Sequence, residues 1–199
     1  MTTKRFFAAL ALCLVPLALS GCLDEKTLDI VLTGETYADF SQNETTSAWT
    51  EPAIIDMAQE IRDILEDNGY DESDLKDAKV TSASYGVTSF SQAHDWTISG
   101  SITVTYNGNT QTLVDYASQS VQGALGQKIS APLLASGVDL INGALTDFLG
   151  GQNPILTFTI NNGSTTPAPS GGDPMVFDWR AGLAIQVILN ETVEVPDPF

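Results

Sequence analysis

The sequence predicts an α+β domain: an antiparallel β-sheet, or a sandwich of about six strands, with two packed helices. Several segments alternate apolar and polar residues, the two-residue period of strands with one buried face. Two other segments repeat apolar residues at intervals of three and four, which is typical of amphipathic helices. The dipeptide Asn107-Gly108 also separates two of the alternating segments, as expected at a tight hairpin turn.

The first predicted strand is residues 28–33, where Leu28, Ile30 and Leu32 alternate with Asp29, Val31 and Thr33. A polar loop is expected over 41–50, which is rich in Ser, Thr, Asn and Glu.

The first helix is predicted over 51–68, with Thr50 as its N-cap and Pro52 in its first turn. Asn68-Gly69 would end it in a left-handed C-cap. Its expected core-facing stripe consists of Ile54, Met57, Ala58, Ile61, Ile64 and Leu65.

Three strands are predicted next, over 79–90, 96–106 and 110–116, and the last two form the hairpin. A second helix is predicted from Pro132 to Leu149, laid on the sheet through a largely apolar stripe. Two strands follow at 155–160 and 175–195, joined by 161–174, which reads as an exposed, mobile loop. The many glycines are expected at turns, and 196–199 is predicted to be a tail.

The first 21 residues have the layout of a secretory signal. Lys4 and Arg5 form a basic front, an apolar run follows from Phe6 to Leu19, and small residues stand at Ser20 and Gly21. This run is short for a bilayer span, which needs roughly 20 apolar residues. We therefore expect a signal peptide at 1–21.

The four residues Leu19-Ser20-Gly21-Cys22 resemble the lipobox of bacterial lipoproteins. The resemblance implies cleavage before Cys22 and acylation of Cys22, so that the membrane is contacted through N-terminal acyl chains. It also implies a lipidated tether at 22–27 and a single domain at 28–195. Leu23 follows the cysteine, where aspartate retains enterobacterial lipoproteins at the inner membrane, so the outer membrane is expected.

The formal charge of the chain is −17, and most acidic residues lie between Asp24 and Asp77. Such a surface repels phosphate backbones, so nucleic acid is not an expected partner. A solvated, solubilising surface is the interpretation we favour for the acidic stretch.

Residues that could carry catalysis or bind a metal are few. His94 is the only histidine, and a surface or turn role is expected for it. The acidic stretch around Asp67, Asp71 and Asp74 lacks the spacing of an EF-hand, which leaves at most a loose, weak calcium site. We predict no catalytic residue, no cofactor and no metal ligand.

The predicted function is therefore a lipid-anchored, non-catalytic cell-envelope lipoprotein with an interaction or structural role, with an envelope protein as its candidate partner. The alternative is a binder of a small apolar or lipidic ligand between the sheet and the second helix, in a hollow lined by Leu145, Phe148 and Trp179. A carboxylate-based enzyme is the third hypothesis. Trp96 and Trp179 are expected in the core, and Trp49 is the aromatic residue expected to be exposed.

Overall fold

The computed structural model describes the backbone of residues 23–196 and the side chains of residues 26–193. The predicted signal peptide, Cys22 and the last three residues of the predicted tail lie outside this range. By its contacts the chain divides into two units, one at residues 28–191 and a small one whose described parts are 23–27 and 192–196.

The secondary structure comprises eight strands, two α-helices and one 3-10 turn among the described residues. The strands are β1 (Leu23–Glu44), β2 (Trp49–Asp56), β3 (Leu75–Phe90), β4 (Thr97–Tyr106), β5 (Asn109–Ser120), β6 (Ile129–Ala131), β7 (Ile155–Thr166) and β8 (Met175–Pro196). The helices are α1 (Met57–Asn68) and α2 (Ala135–Leu149), and the 3-10 turn is Glu72–Asp74.

The strands form two antiparallel four-stranded sheets packed as a sandwich, which confirms the predicted fold class. Sheet A has the order β1-β8-β3-β6, and sheet B has the order β2-β7-β4-β5. Inward-facing apolar residues of both sheets and of the two helices form one core. No helix in the described part of the chain is long and apolar enough to cross a membrane.

The prediction of helix 51–68 was wrong at its start, because Trp49–Asp56 is the edge strand β2. An edge strand tolerates Pro52, since the missing amide can face away from the ladder. The helix begins only after Asp56, whose side chain accepts a hydrogen bond from the amide of Gln59 at 3.1 Å. Ile54, predicted to be buried, is therefore 74% exposed, whereas Ile61 is fully buried.

Both predicted left-handed turns are confirmed. Gly69 ends α1 at φ 80°, and its amide donates to the carbonyl of Glu66. Asn107 and Gly108 have φ values of 48° and 78° and connect β4 to β5.

Helix α2 begins at Ala135, not at the predicted Pro132, because Ile129–Ala131 pairs with β3 as the short strand β6. The predicted loop 161–174 was also wrong in its first half. Strand β7 continues to Thr166, and Asn162 and Thr165 are buried. The Asn162 amide donates to the carbonyl of Ser47 at 2.8 Å and to the Thr165 hydroxyl at 2.8 Å, so this segment is part of the packed domain.

Candidate functional site

Asp95, the neighbour of His94, holds the local structure through its side chain. The Asp95 carboxylate accepts hydrogen bonds from the amides of Trp96 and Gln122 and from the Ser120 hydroxyl, which fixes the turn after β5. His94 Nε2 lies 3.4 Å from a carboxylate oxygen of Asp173, and its ring lies 4.5 Å from that of Trp96. The Ser120 hydroxyl thus donates to Asp95 and not to the imidazole of His94.

The acidic turn that we considered for calcium is occupied by its own hydrogen bonds. Asp71 and Asp74 form a reciprocal capping box around the 3-10 turn, and the Asp71 amide donates to the Asp74 carboxylate at 3.1 Å. Glu72 pairs with Arg62 at 2.5 Å. Among the residues that the structure describes, no group of three or more His, Cys, Asp or Glu side chains is placed to hold a metal ion.

We considered an apolar ligand between the sheet and the second helix, and we named three residues that would line its site. Leu145, Phe148 and Trp179 are all buried in the core. A cavity of about 20 Å³ does lie between the two sheets, lined by apolar residues that include Phe40 and Leu183. It is close to the minimum size for one water molecule, far below the ~300 Å³ or more of typical ligand pockets.

Trp49 is only 8% exposed, which overturns the expectation of a surface aromatic. Its ring packs edge-on against Trp179, with centroids 6.3 Å apart. Trp49 begins β2 and therefore points into the sandwich, which the sequence alone did not show because the preceding residues are polar. The core positions predicted for Trp96 and Trp179 are confirmed.

A groove of about 360 Å³ on sheet A, which we call the Tyr37 groove, combines aromatic and basic side chains. Tyr37 from β1 and Arg180 from β8 lie on one side, and the segment 126–128 lies on the other. Its full lining is Tyr37, Ser84, Tyr85, Gly86, Val87, Thr88, Gly126, Gln127, Lys128, Arg180 and Gly182.

Two strand glycines make room for the walls of the Tyr37 groove. A Cβ atom at Gly86 would lie 2.0 Å from the backbone oxygen of Gln127, and one at Gly182 would lie 2.9 Å from the ring of Tyr37. Our expectation that the glycines fall at turns was therefore wrong at these positions. A glycine inside a strand marks close approach of another group, and this is the sequence signal that could have found the groove.

The charged residues at the groove form two ion pairs on either side of Tyr37. Lys128 pairs with Glu35, and Arg180 pairs with Asp39 at 2.6 Å. The Tyr37 hydroxyl donates to Glu35 at 2.5 Å, and the Arg180 guanidinium lies 5.1 Å from the centre of the Tyr37 ring. Two of the six basic residues that follow Cys22 are thus placed at one groove.

These contacts shift the acidity of the groove residues. Arg180 holds the pKa of Asp39 below its usual range. Burial acts to raise the pKa of Glu35, but hydrogen bonds from Lys128 and Tyr37 outweigh it and lower that pKa. The neighbouring Glu35 in turn raises the pKa of Tyr37. At neutral pH the groove therefore presents two cations and a neutral phenol, and each cation is paired with a carboxylate that lies outside the groove lining.

No protein-family model matches this chain, and no curated protein sequence matches it significantly.

Proposed function

We propose that this protein is a lipid-anchored, non-catalytic lipoprotein of the cell envelope, with an interaction role carried out by its folded domain. The lipobox resemblance at Leu19-Ser20-Gly21-Cys22 supports the anchor and the envelope location, and Leu23 favours the outer membrane. The acyl chains on Cys22 hold the domain at the membrane, since its acidic surface is repelled by anionic lipid headgroups.

The observation that carries the interaction role is the Tyr37 groove. Tyrosine and arginine are enriched among the residues that contribute most to protein–protein binding energy. In this protein the Arg180 guanidinium stacks on the Tyr37 ring, and both residues line the groove. Tyr37 is 45% exposed, so its ring has surface left to bury against a partner. The charged groups around it have both signs, which gives a partner orientation and specificity.

The test is site-specific photo-crosslinking in intact cells that express the full chain. A photoreactive residue replaces Thr88, an exposed residue that lines the groove. The matched control is Thr81, an exposed threonine of the same strand outside the groove lining. We expect a light-dependent adduct to one protein from position 88, identified by mass spectrometry, and its loss when Arg180→Glu is added.

Absence of an adduct at position 88, or equal adducts from positions 81 and 88, would contradict a partner at the groove. An adduct that persists in the Arg180→Glu chain would show that the Arg180 side chain is not needed for partner binding, which would also contradict the proposal.

A further inference from the structure

The sequence contains four Asn-Gly pairs, at residues 68–69, 107–108, 142–143 and 162–163. Such a pair can modify itself, because the glycine amide nitrogen can attack the side-chain carbonyl carbon of the asparagine. The attack forms a bond between this nitrogen and Cγ, expels ammonia and leaves a five-membered succinimide ring. Water then opens the ring to aspartate or isoaspartate. Whether a pair reacts in the folded protein depends on the geometry and the freedom of its backbone.

Ring closure demands one backbone geometry at the asparagine. The ring contains Cα, Cβ, Cγ, the asparagine carbonyl carbon and the glycine nitrogen, so this nitrogen must be eclipsed with Cβ. For an L-residue this fixes ψ at about −120°, the value at the first central residue of a type II′ turn. A type II′ turn also requires a positive φ at that residue. An asparagine that already has a positive φ at a hairpin turn therefore needs only a change in ψ.

Asn107 is the one of the four asparagines with a positive φ, at 48°. It is the first central residue of the hairpin turn closed by the pair of Tyr106 and Asn109, and Gly108 follows it with a φ of 78°. Positive φ at both central residues makes this a type I′ turn. Type II′ is reached by turning the 107–108 peptide plane, which needs a negative φ at Gly108, and glycine adopts either sign readily. A Cβ atom at Gly108 would have no neighbour within 4 Å, so this plane has room to turn.

Two of the other pairs are held in helices. Asn68 is the last residue of α1, and the amide of Gly69, which would have to attack, donates to the Glu66 carbonyl at 3.1 Å. Asn142 lies inside α2, and its side-chain oxygen accepts a hydrogen bond from the amide of Val80 at 3.1 Å. Ring closure at either position therefore requires a helical turn to unwind first.

The fourth pair is held between strands. Asn162 of β7 is in register with Trp49 on one side and with Gly100 on the other. Its side chain is buried and donates to the Ser47 carbonyl and the Thr165 hydroxyl. Ring closure here requires opening of the packed sheet, which costs more than a rearrangement at a hairpin tip.

We propose that Asn107 is a self-modification site, which cyclises with the Gly108 amide while the domain stays folded. Both turn types fit the twist of a hairpin, so the ring is compatible with β4 and β5 remaining paired. In the overall reaction the Gly108 amide proton leaves with the Asn107 side-chain amine as ammonia, and water supplies the new carboxyl oxygen. Opening at the main-chain carbonyl gives isoaspartate, whose backbone is one methylene longer. Either acid adds one negative charge to a chain of formal charge −17.

The test is incubation of the full chain in detergent and mildly alkaline buffer, with peptide mass spectrometry of all four pairs over time. In the folded protein we expect conversion of Asn107 to be at least about tenfold faster than that of the other three, which corresponds to an extra opening cost of about 1.4 kcal/mol or more for those pairs. The matched control is the same chain in denaturant, where the four rates should converge. Gly108→Ala should slow conversion of Asn107, because alanine resists the turn geometry, and should leave the rate at Asn68 unchanged.

Three outcomes would overturn the inference. The first is equal conversion of Asn107 and Asn68 in the folded protein. The second is a preference for Asn107 that persists in denaturant, since the local sequence and not the turn would then set the rate. The third is no conversion of Asn107 over a period in which the denatured chain reacts. None of these measurements depends on acylation of Cys22 or on a partner at the Tyr37 groove.

Discussion

Arg180 of β8 donates two parallel hydrogen bonds to Asp39 of the neighbouring strand β1. The Nε–Oδ1 distance is 2.6 Å, and the Nη2–Oδ2 distance is 2.8 Å. The same guanidinium stacks on Tyr37, so a single side chain from β8 orders one wall of the groove. Paired and planar contacts of this kind need arginine, because lysine cannot form the two-pronged bond.

This pair gives the domain a dependence on acidic pH. The pKa of Asp39 is lower in the folded protein than in the unfolded chain, because Arg180 donates to its carboxylate. The stabilisation is therefore present above the unfolded pKa, roughly 4, and is lost as the pH falls through the folded value. Both side chains are largely exposed, so the effect should stay below about 1 kcal/mol.

Chemical denaturation between neutral pH and about pH 3 measures this dependence. The chain with Arg180→Gln should lose less stability on acidification than the original chain, and Arg180→Lys should fall between them. Identical pH profiles for all three chains would contradict the assigned role of the pair.

The second prediction concerns the two isoleucines on either side of the start of α1. Ile61→Asp should destabilise the domain by about 3 kcal/mol or more, because Ile61 is fully buried and an unpaired carboxylate would replace it. Ile54→Asp should change the free energy of unfolding by about 0.5 kcal/mol or less, since that side chain faces solvent. Urea denaturation of the two variants compares them, and equal effects would mean that residues 51–56 belong to the helix after all.

The third prediction separates the packed and exposed halves of the segment 161–174. Asn162→Ala removes the bonds to Ser47 and Thr165 inside the domain and should cost about 2 kcal/mol. Gly171→Ala in the exposed half should cost about 0.5 kcal/mol or less, because no atom lies within 4 Å of the added Cβ. Thermal melts of both variants provide the measurement, and a larger loss from Gly171→Ala than from Asn162→Ala would reverse the assignment.

The fourth prediction is that the acidic turn binds no calcium tightly. Asp71 and Asp74 cap the 3-10 turn and Glu72 pairs with Arg62, so these carboxylates do not converge on one point. A tight calcium site needs 6–8 oxygens at about 2.3–2.6 Å. Calorimetric titration of the protein with calcium chloride should show only weak, non-saturating heats; a stoichiometric isotherm in the micromolar range would contradict this.

The sequence supported the fold class and most elements because their signals are local. Asn107-Gly108 favours a tight turn whatever surrounds it. The alternation of apolar and polar residues in 97–106 predicts a strand from that segment alone. Strand β2 was missed because Ile54 lies three residues before Met57 and so continues the apolar spacing of α1. The residues of this edge strand were therefore assigned to the helix. Strand β6 is only three residues long and has no period to detect.

The sites were less predictable than the fold because they depend on pairing across strands. The Tyr37 groove brings together residues from β1, β3, β8 and the segment 126–128, and only the strand glycines hinted at it.

The central claim is that Cys22 carries the membrane anchor, and metabolic labelling with a clickable fatty acid tests it most directly. Cells expressing the full chain should yield a labelled, processed protein in the membrane fraction, and mass spectrometry should place the acyl group on Cys22 as the new N-terminus. Cys22→Ser should abolish the label and leave the precursor uncut, whereas Cys13→Ser, a matched change within the leader, should retain both label and processing. A processed, unlabelled protein from the original chain, or normal processing of Cys22→Ser to a soluble form, would contradict the account.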